Sequence, residues 1–117
     1  MTDLNWIQAM TEAAIVCDKE GIILEINDKA LVFNNRERED LIGTNVVDCH
    51  QENNHPKVRQ LLQAGKHDMH IIHTNDTQFI SYFSPWQKDG EYAGLIEFIL
   101  EMPAHKLHLL HEAPKSS

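Results

Sequence analysis

The sequence VVDCHQENNHPKV concentrates side chains that could bind a metal or haem iron. It contains Cys49, His50 and His55, and thiolate and imidazole groups are ligands that soft metals and haem iron take from proteins. Cys49 and His50 are adjacent, so on an extended chain they point to opposite faces and would chelate one ion poorly. The alternative, which we favour, is a loop leading into a helix, with Asn54 as the cap and Pro56 in the first turn.

Two other groups of histidines have spacings that could form a site. His70 and His73 lie three positions apart in a predicted strand, which places them on opposite faces and argues against a shared site. His105, His108 and His111 have helical spacing, and such a stripe could bind zinc, nickel or copper if the C-terminal segment were helical. We favour a solvated amphipathic tail instead, and no metal site is predicted.

The sequence contains no motif typical of catalysis. A phosphate-binding glycine loop, paired carboxylates and a spaced nucleophile and base are all missing. Ser81 and Ser84 lie near His73 in a possible hairpin, but serines that face a sheet are far more often structural. We therefore expect a protein without enzymatic activity.

Composition restricts the partners and the location of the chain. Ten Lys and Arg against 18 Asp and Glu give a net charge of −8, which disfavours nucleic acid as a partner. No apolar run approaches the roughly 20 residues needed to cross a bilayer, and the N-terminus lacks the features of a signal peptide. We expect one cytoplasmic domain without membrane association, in which Cys17 and Cys49 remain free thiols.

The N-terminal part of the chain predicts a helix followed by a β-hairpin. Leu4, Ile7 and Met10 have the spacing of an amphipathic helix that ends near Glu12. The sequence AAIVCDKEGIILEIND then gives two short β-branched runs around a glycine turn. Either Asn27 or the next residue can cap the short helices that follow.

The remaining elements complete an α+β fold. A longer helix ends at Gly65, and three strands separated by turn-forming residues come after it. The simplest closure is a five-stranded antiparallel sheet with short helices on one face and an additional N-terminal helix. We therefore divide the chain into an N-terminal helix (1–12), a domain (13–102) and a polar, histidine-rich tail (103–117).

The last predicted strand has two different faces. One face is fully apolar and the other is mixed, with Ile96, Phe98 and Leu100 on the first and Leu95, Glu97, Ile99 and Glu101 on the second. Because Leu95 and Ile99 need cover on the mixed face, we expect the N-terminal helix or a second subunit to pack there.

The order of elements and the residues in them resemble a PAS domain over about residues 9 to 102. The opening hairpin and the segment EDLIGTNV carry the resemblance through Asp18, Gly21, Asn27, Leu41, Ile42 and Gly43. A narrower resemblance is to the PAS subfamily fused to hemerythrin-like modules. It is carried by Cys49, His50, Gly65, Lys66, Tyr82, Phe83, Gly90, Tyr92, Gly94 and Glu97. The chain departs from that pattern at Gln51 and Glu52, where the subfamily has two prolines.

The PAS resemblance implies a sensory or protein-interaction module with a small cavity between sheet and helices. It also implies a homodimer formed through the N-terminal helix and the outer sheet face, a protein partner in a signalling pathway, and a small-molecule ligand. The identity of any cofactor stays open. Flavin photosensors of the family carry an Arg-Phe-Leu run where this chain reads GTNVVDCHQ, so a photoactive flavin is not expected.

Haem-binding oxygen sensors of the family suggest an alternative function. Their proximal histidine lies on the long helix before the last three strands, and His55 begins the matching helix here. The resemblance thus implies a haem or small-molecule sensor with His55 as the ligand-contacting residue. The apolar residues that would surround the cofactor are Val58, Leu61, Leu62, Ile96 and Phe98.

Overall fold

A computed structural model describes residues 5–74 and 77–102 of the chain. Its helices are α1 (Asn5–Ala9), α2 (Asp28–Asn34), α3 (Arg38–Leu41) and α4 (His55–Ala64), with 3₁₀ turns at Val46–Cys49 and Glu52–Asn54. Its strands are β1 (Ala13–Asp18), β2 (Ile23–Ile26), β3 (Asp68–Thr74), β4 (Thr77–Lys88) and β5 (Glu91–Glu101). The tail at 103–117, with His105, His108 and His111, lies outside the described residues.

The strands form one five-stranded antiparallel sheet with the order β2-β1-β5-β4-β3. The last three strands form a meander, and β5 pairs with β1, which brings both ends of the domain into the middle of the sheet. The predicted α+β class and the five-stranded sheet are confirmed. No helix within residues 5–74 and 77–102 combines the length and apolar character needed to cross a membrane.

Local sequence explains where the helices begin and end. Asn27 caps α2, and its side-chain oxygen accepts a hydrogen bond from the Ala30 backbone. Gly65 ends α4 with a φ of 60°, a left-handed conformation that glycine adopts at little cost. Asn54 occupies the capping position of α4 as predicted, but within the described chain its side chain forms no capping hydrogen bond. Helix α1 ends at Ala9, earlier than the predicted end at Glu12.

The sheet has two differently covered faces. Helices α2 to α4 and the first 3₁₀ turn pack on the inner face, where Leu95 and Ile99 of β5 belong to the main hydrophobic core. On the outer face, Ile7 of α1 packs with Ala14 and Val16 of β1. Ile96, Phe98, Met10 and Trp86 lie against this second cluster.

This arrangement corrects the predicted cover of β5. We expected the N-terminal helix or a second subunit to cover the mixed face that carries Leu95, Glu97 and Ile99. The central helices cover that face instead, and α1 packs over the fully apolar one. Strand alternation correctly separated the two faces, but alternation alone does not indicate which face each helix covers.

Candidate functional site

A cavity of about 510 Å³ lies between the inner face of the sheet and helix α4. Its volume falls within the range of small-molecule sites, roughly 300 to 1,000 Å³. The 3₁₀ turn, α4 and all three strands of the meander contribute to its wall. The residues that line the cavity include Cys49, His50, Lys57, Val58, Leu61, His70, His73, Ser81, Phe83 and Glu97.

Glu97 is the buried charged group of this cavity. Glu97 is only 4% exposed, because it shares the inward-facing side of β5 with Leu95 and Ile99. One carboxylate oxygen, Oε2, accepts a hydrogen bond of 2.7 Å from Ser81 Oγ on the neighbouring strand. Ser81 is itself buried, so the two side chains form a polar pair inside an apolar core.

His50 meets the other oxygen of the same carboxylate. Its Nδ1 lies 2.9 Å from the carbonyl oxygen of Val46, which can only accept, so Nδ1 carries a hydrogen. Its Nε2 lies 3.4 Å from Glu97 Oε1, an ion-pair distance that exceeds an ordinary hydrogen bond. Two lone pairs would repel each other across this contact. The pair is therefore held together when it binds one proton between Nε2 and Oε1.

The electrostatic surroundings favour a proton on His50. Burial lowers the pKa of His50, but the hydrogen bond and charge of Glu97 and the Val46 carbonyl act in the opposite direction. Their combined effect outweighs burial and raises the pKa of His50 above its ordinary value. Burial also raises the pKa of the Cys49 thiol, and the Glu97 charge adds to that effect. Cys49 is thus an unreactive thiol at neutral pH.

Two buried polar atoms of the cavity lack a hydrogen-bond partner among the described residues: Glu97 Oε1 and His70 Nε2. The His70 ring packs edge-on against Phe83, with centroids 6.0 Å apart. A buried polar group without a partner costs about 1 to 3 kcal/mol. Both side chains line a cavity large enough for a ligand, so its wall has unused hydrogen-bonding capacity.

The residues predicted to bind haem do not come together. His55 Nε2 donates a 2.9 Å hydrogen bond to the His50 carbonyl oxygen, so this nitrogen has no lone pair for iron. Within the described chain, His55 is not part of the cavity wall. Ile96 and Phe98 lie on the outer face of the sheet, separated by the backbone from Val58. Haem binding by His55 stays a prediction, and in this structure His55 Nε2, Ile96 and Phe98 lie apart from the cavity wall.

The predicted apolar wall is also divided on the inner face. Val58 and Leu61 line the cavity beside Glu97. Leu62 is buried in the core as well, but it borders a different cavity of about 390 Å³ that contains Lys19 and Arg59. Of the three apolar residues of α4 that were predicted to line one site, Val58 and Leu61 line this cavity, whereas Leu62 lines the other one.

The polar centre of the cavity was missed at the level of sequence. His50 was considered only as a partner of Cys49, Ser81 as a structural residue, and Glu97 as part of a mixed face. The available signal was the position of Glu97 between inward-facing Leu95 and Ile99. Among residues 5–74 and 77–102, no three His, Cys, Asp or Glu side chains are placed to hold a metal ion.

Comparison with known protein families identifies the fold. The family model for the PAS fold matches residues 5–93, which is most of the chain. The chain belongs to the PAS family. This confirms the PAS resemblance, while the narrower resemblance to PAS domains fused to hemerythrin-like modules stays a prediction. A comparison with curated protein sequences gives no significant match.

Solved PAS structures share the architecture at low sequence identity. The PAS domain of BvgS from Bordetella pertussis has a TM-score of 0.70 at 16% identity, covering 85% of this chain and 82% of that one. The PAS domain of histidine kinase ThkA has a TM-score of 0.65 at 22% identity, covering 78% and 99%. The Aer2 receptor from Vibrio cholerae, described as a dual PAS-heme oxygen sensor, has a TM-score of 0.58 at 20% identity, covering 83% and 99%.

Proposed function

We propose that this PAS domain is a sensory and protein-interaction module that binds a small molecule in the cavity around Glu97. The observation that carries the proposal is a buried carboxylate oxygen without a hydrogen-bond partner among the described residues, on a side chain that lines a cavity of about 510 Å³. Structural cores avoid such groups, whereas binding sites keep them for a ligand. The named relatives include a histidine kinase and an oxygen sensor, which supports a sensory role. The module is proposed to be non-enzymatic and cytoplasmic.

Strand β5 connects the cavity to the N-terminal helix. Glu97 faces the cavity, while its neighbours Ile96 and Phe98 face outward and pack against the cluster around Ile7 of α1. Glu97 also pairs across the sheet with Ile15 of β1. A ligand that shifts β5 at Glu97 therefore changes the surface on which α1 rests. The ligand acts by favouring one of two arrangements of α1 on the sheet.

A second copy of the chain is the proposed partner of the outer sheet face. Ile71, Ile80 and Leu100 are aligned across β3, β4 and β5, on the same side of the sheet as Phe98. Ile71 is 66% exposed, and Met69, two positions earlier on the same strand, is 58% exposed. Helix α1 covers the part of this face near β1 and leaves the part near β3 open. Exposed apolar surface of this kind is typical of a protein interface.

Light scattering tests the dimer directly. We expect the wild-type protein to have the mass of a dimer and Ile71→Lys to have the mass of a monomer. Val32→Lys is the matched control, because Val32 is 76% exposed but lies on α2, away from the outer sheet face. A dimer that persists in Ile71→Lys would place the interface elsewhere.

Occupancy of the cavity is tested with a neutral, apolar fluorescent dye such as N-phenyl-1-naphthylamine. We expect saturable binding to the wild-type protein and loss of binding in Val58→Phe, because the larger ring fills space beside α4. Val32→Phe, the same substitution on an exposed position, should bind the dye like the wild type. Equal binding by Val58→Phe would overturn the proposal that this cavity holds a ligand.

A further inference from the structure

The chemistry of the cavity wall restricts the ligand that it can hold. Glu97 Oε1 is an acceptor that receives only the distant contact from His50 Nε2 at 3.4 Å. On the α4 side, Val58 and Leu61 line the cavity with Lys57, and the buried ring of Phe83 lies beside Glu97 on the neighbouring strand. A ligand that fits this cavity therefore has N–H donors at one end and a compact apolar body at the other.

Charge further restricts the ligand. Lys57 Nζ lies 3.2 Å from Asp68 Oδ2, so these two charges neutralise each other at the rim. Inside the cavity, among the described residues, the positive charge that contacts the Glu97 carboxylate is a proton on His50. If His50 loses that proton, the buried carboxylate is left without a counter-charge, which is strongly unfavourable. A cation in the cavity would replace the proton as the counter-charge.

We infer that the ligand is a small organic cation with an apolar body, whose N–H groups donate to Glu97 and whose binding displaces the proton shared with His50. In this exchange the cation forms hydrogen bonds to Glu97 Oε1, and the contact between His50 Nε2 and that oxygen breaks. The proton leaves to solvent, and His50 keeps its hydrogen bond from Nδ1 to the Val46 carbonyl. The inference rests on the proposed function of the cavity.

Other titratable groups surround His50 and must be separated from its effect. Cys49 lies on the same turn, Lys57 on α4, His70 and His73 on β3, and Glu97 on β5. His55 contacts the His50 carbonyl through Nε2. Glu97 is the group whose carboxylate meets His50 Nε2 directly, so its substitution isolates the proposed exchange.

Three probes of nearly equal size and shape test the ligand class: benzamidine, a cation, benzamide, which is neutral, and benzoate, an anion. We expect benzamidine to bind at least tenfold more tightly than benzamide and benzoate, measured by titration calorimetry. Glu97→Gln should remove this preference, because the amide has no charge to pair with the amidinium. Glu101→Gln, on the same strand but exposed, is the matched control and should bind like the wild type.

Proton displacement gives a second test that needs no change at Glu97. We expect benzamidine to bind more tightly as pH rises from 6 to 8, with up to one proton released per ligand in buffers of different ionisation enthalpy. In His50→Gln, affinity should be independent of pH over this range. Equal affinity for all three probes, or pH-independent binding by the wild type, would overturn the inference.

The two proposals fail in different ways. If Val58→Phe abolishes binding of the apolar dye but the wild type binds benzamidine no more tightly than benzoate, the cavity is a ligand site and the cationic class of ligand is wrong. If the dye binds Val58→Phe and the wild type equally, the cavity itself is not the site, and both proposals fail.

Discussion

Among residues 5–74 and 77–102, buried polar side chains occur at two places in this PAS domain, and their hydrogen-bonding capacity is used very differently. At the junction of α1, β1 and α2, Asn27 is 1% exposed and all four of its side-chain hydrogen bonds are formed. Its oxygen accepts from Ala14 N at 3.1 Å and Ala30 N at 3.0 Å, and its nitrogen donates to Ile7 O at 3.1 Å and Glu12 O at 2.8 Å. In the cavity, Glu97 is also buried, but it receives one normal hydrogen bond, from Ser81.

The difference separates structural burial from burial for binding. A fully used amide such as Asn27 fixes the geometry of the backbone segments around it, since its four bonds tie α1, β1 and α2 together. A partly used carboxylate such as Glu97 lowers stability and is retained where something else gains from it. We therefore expect substitutions at the two places to have opposite effects on stability.

The largest expected effect is that of Asn27→Ala. It removes all four side-chain hydrogen bonds, which connect buried backbone segments of β1, α1 and α2. We expect the free energy of unfolding to fall by at least about 3 kcal/mol, measured by urea denaturation. Loss of the contact with the Ile7 carbonyl should also loosen α1.

Asn45→Ala provides the matched control. Asn45 accepts from Val47 N and donates to Glu20 O, each at 3.0 Å, but it is only partly buried. Water can replace its partners, so we expect a loss of about 1 kcal/mol. Similar losses for both asparagines would contradict the special role assigned to the buried junction.

The sequence predicted the features that depend on local chemistry. Asn27 was one of two candidate caps, Gly65 was predicted to end α4, and the hairpins were predicted from their turn residues, because each of these signals lies within a few positions of the feature. The five-stranded sheet then followed from the order of the elements. Longer-range placement did not follow in the same way: α1 or a second subunit was predicted to cover the mixed face of β5, whereas the central helices cover it.

The site could not be predicted to the same extent, because it depends on contacts between distant residues. The contact between His50 and Glu97 joins a 3₁₀ turn to the last strand, and no spacing in the sequence indicates it. His55 was selected from its position on the helix, yet its ring turns back to the His50 carbonyl. Strand alternation around Glu97 was the one local signal of the site. It could indicate a buried carboxylate only if the inner face of β5 was already known.

The second prediction concerns the double variant Ser81→Ala/Glu97→Met. It replaces both partners of the buried polar pair with apolar groups, so no donor or acceptor of that pair is left behind. At pH 9, where the contribution of the contact between His50 and Glu97 is lost, we expect the free energy of unfolding to rise by about 1 kcal/mol, since apolar replacement of buried charged groups is often stabilising. Ser84→Ala/Glu101→Met, on the same two strands, is the control and should be neutral. A loss above about 2 kcal/mol would place Glu97 beside Asn27 as a structural residue.

The third prediction is that His50 makes a pH-dependent contribution to the free energy of unfolding. Because the pKa of His50 is raised in the folded protein, its contribution is fully present below the unfolded pKa, about 6.5, and is lost as pH rises through the folded pKa. We expect the difference in free energy of unfolding between wild type and His50→Gln to decrease between pH 6 and pH 9. The other histidines are common to both proteins and cancel. A difference that grows with pH would mean that burial, not Glu97, dominates at His50.

The smallest effect is expected where a charged pair is exposed to water. Arg38 on α3 forms an ion pair with Glu25 on β2, and the Arg38 side chain is 45% exposed. Water and salt screen such a pair, so we expect Arg38→Met to lower the free energy of unfolding by less than about 1 kcal/mol, and by less still in 1 M NaCl. A double-mutant cycle with Glu25→Gln measures the pair itself. A coupling energy above about 2 kcal/mol between Arg38 and Glu25 would mean that an exposed ion pair contributes as much to stability as a buried hydrogen-bond network. The contrast between Asn27 and Glu97 would then have to be explained by charge.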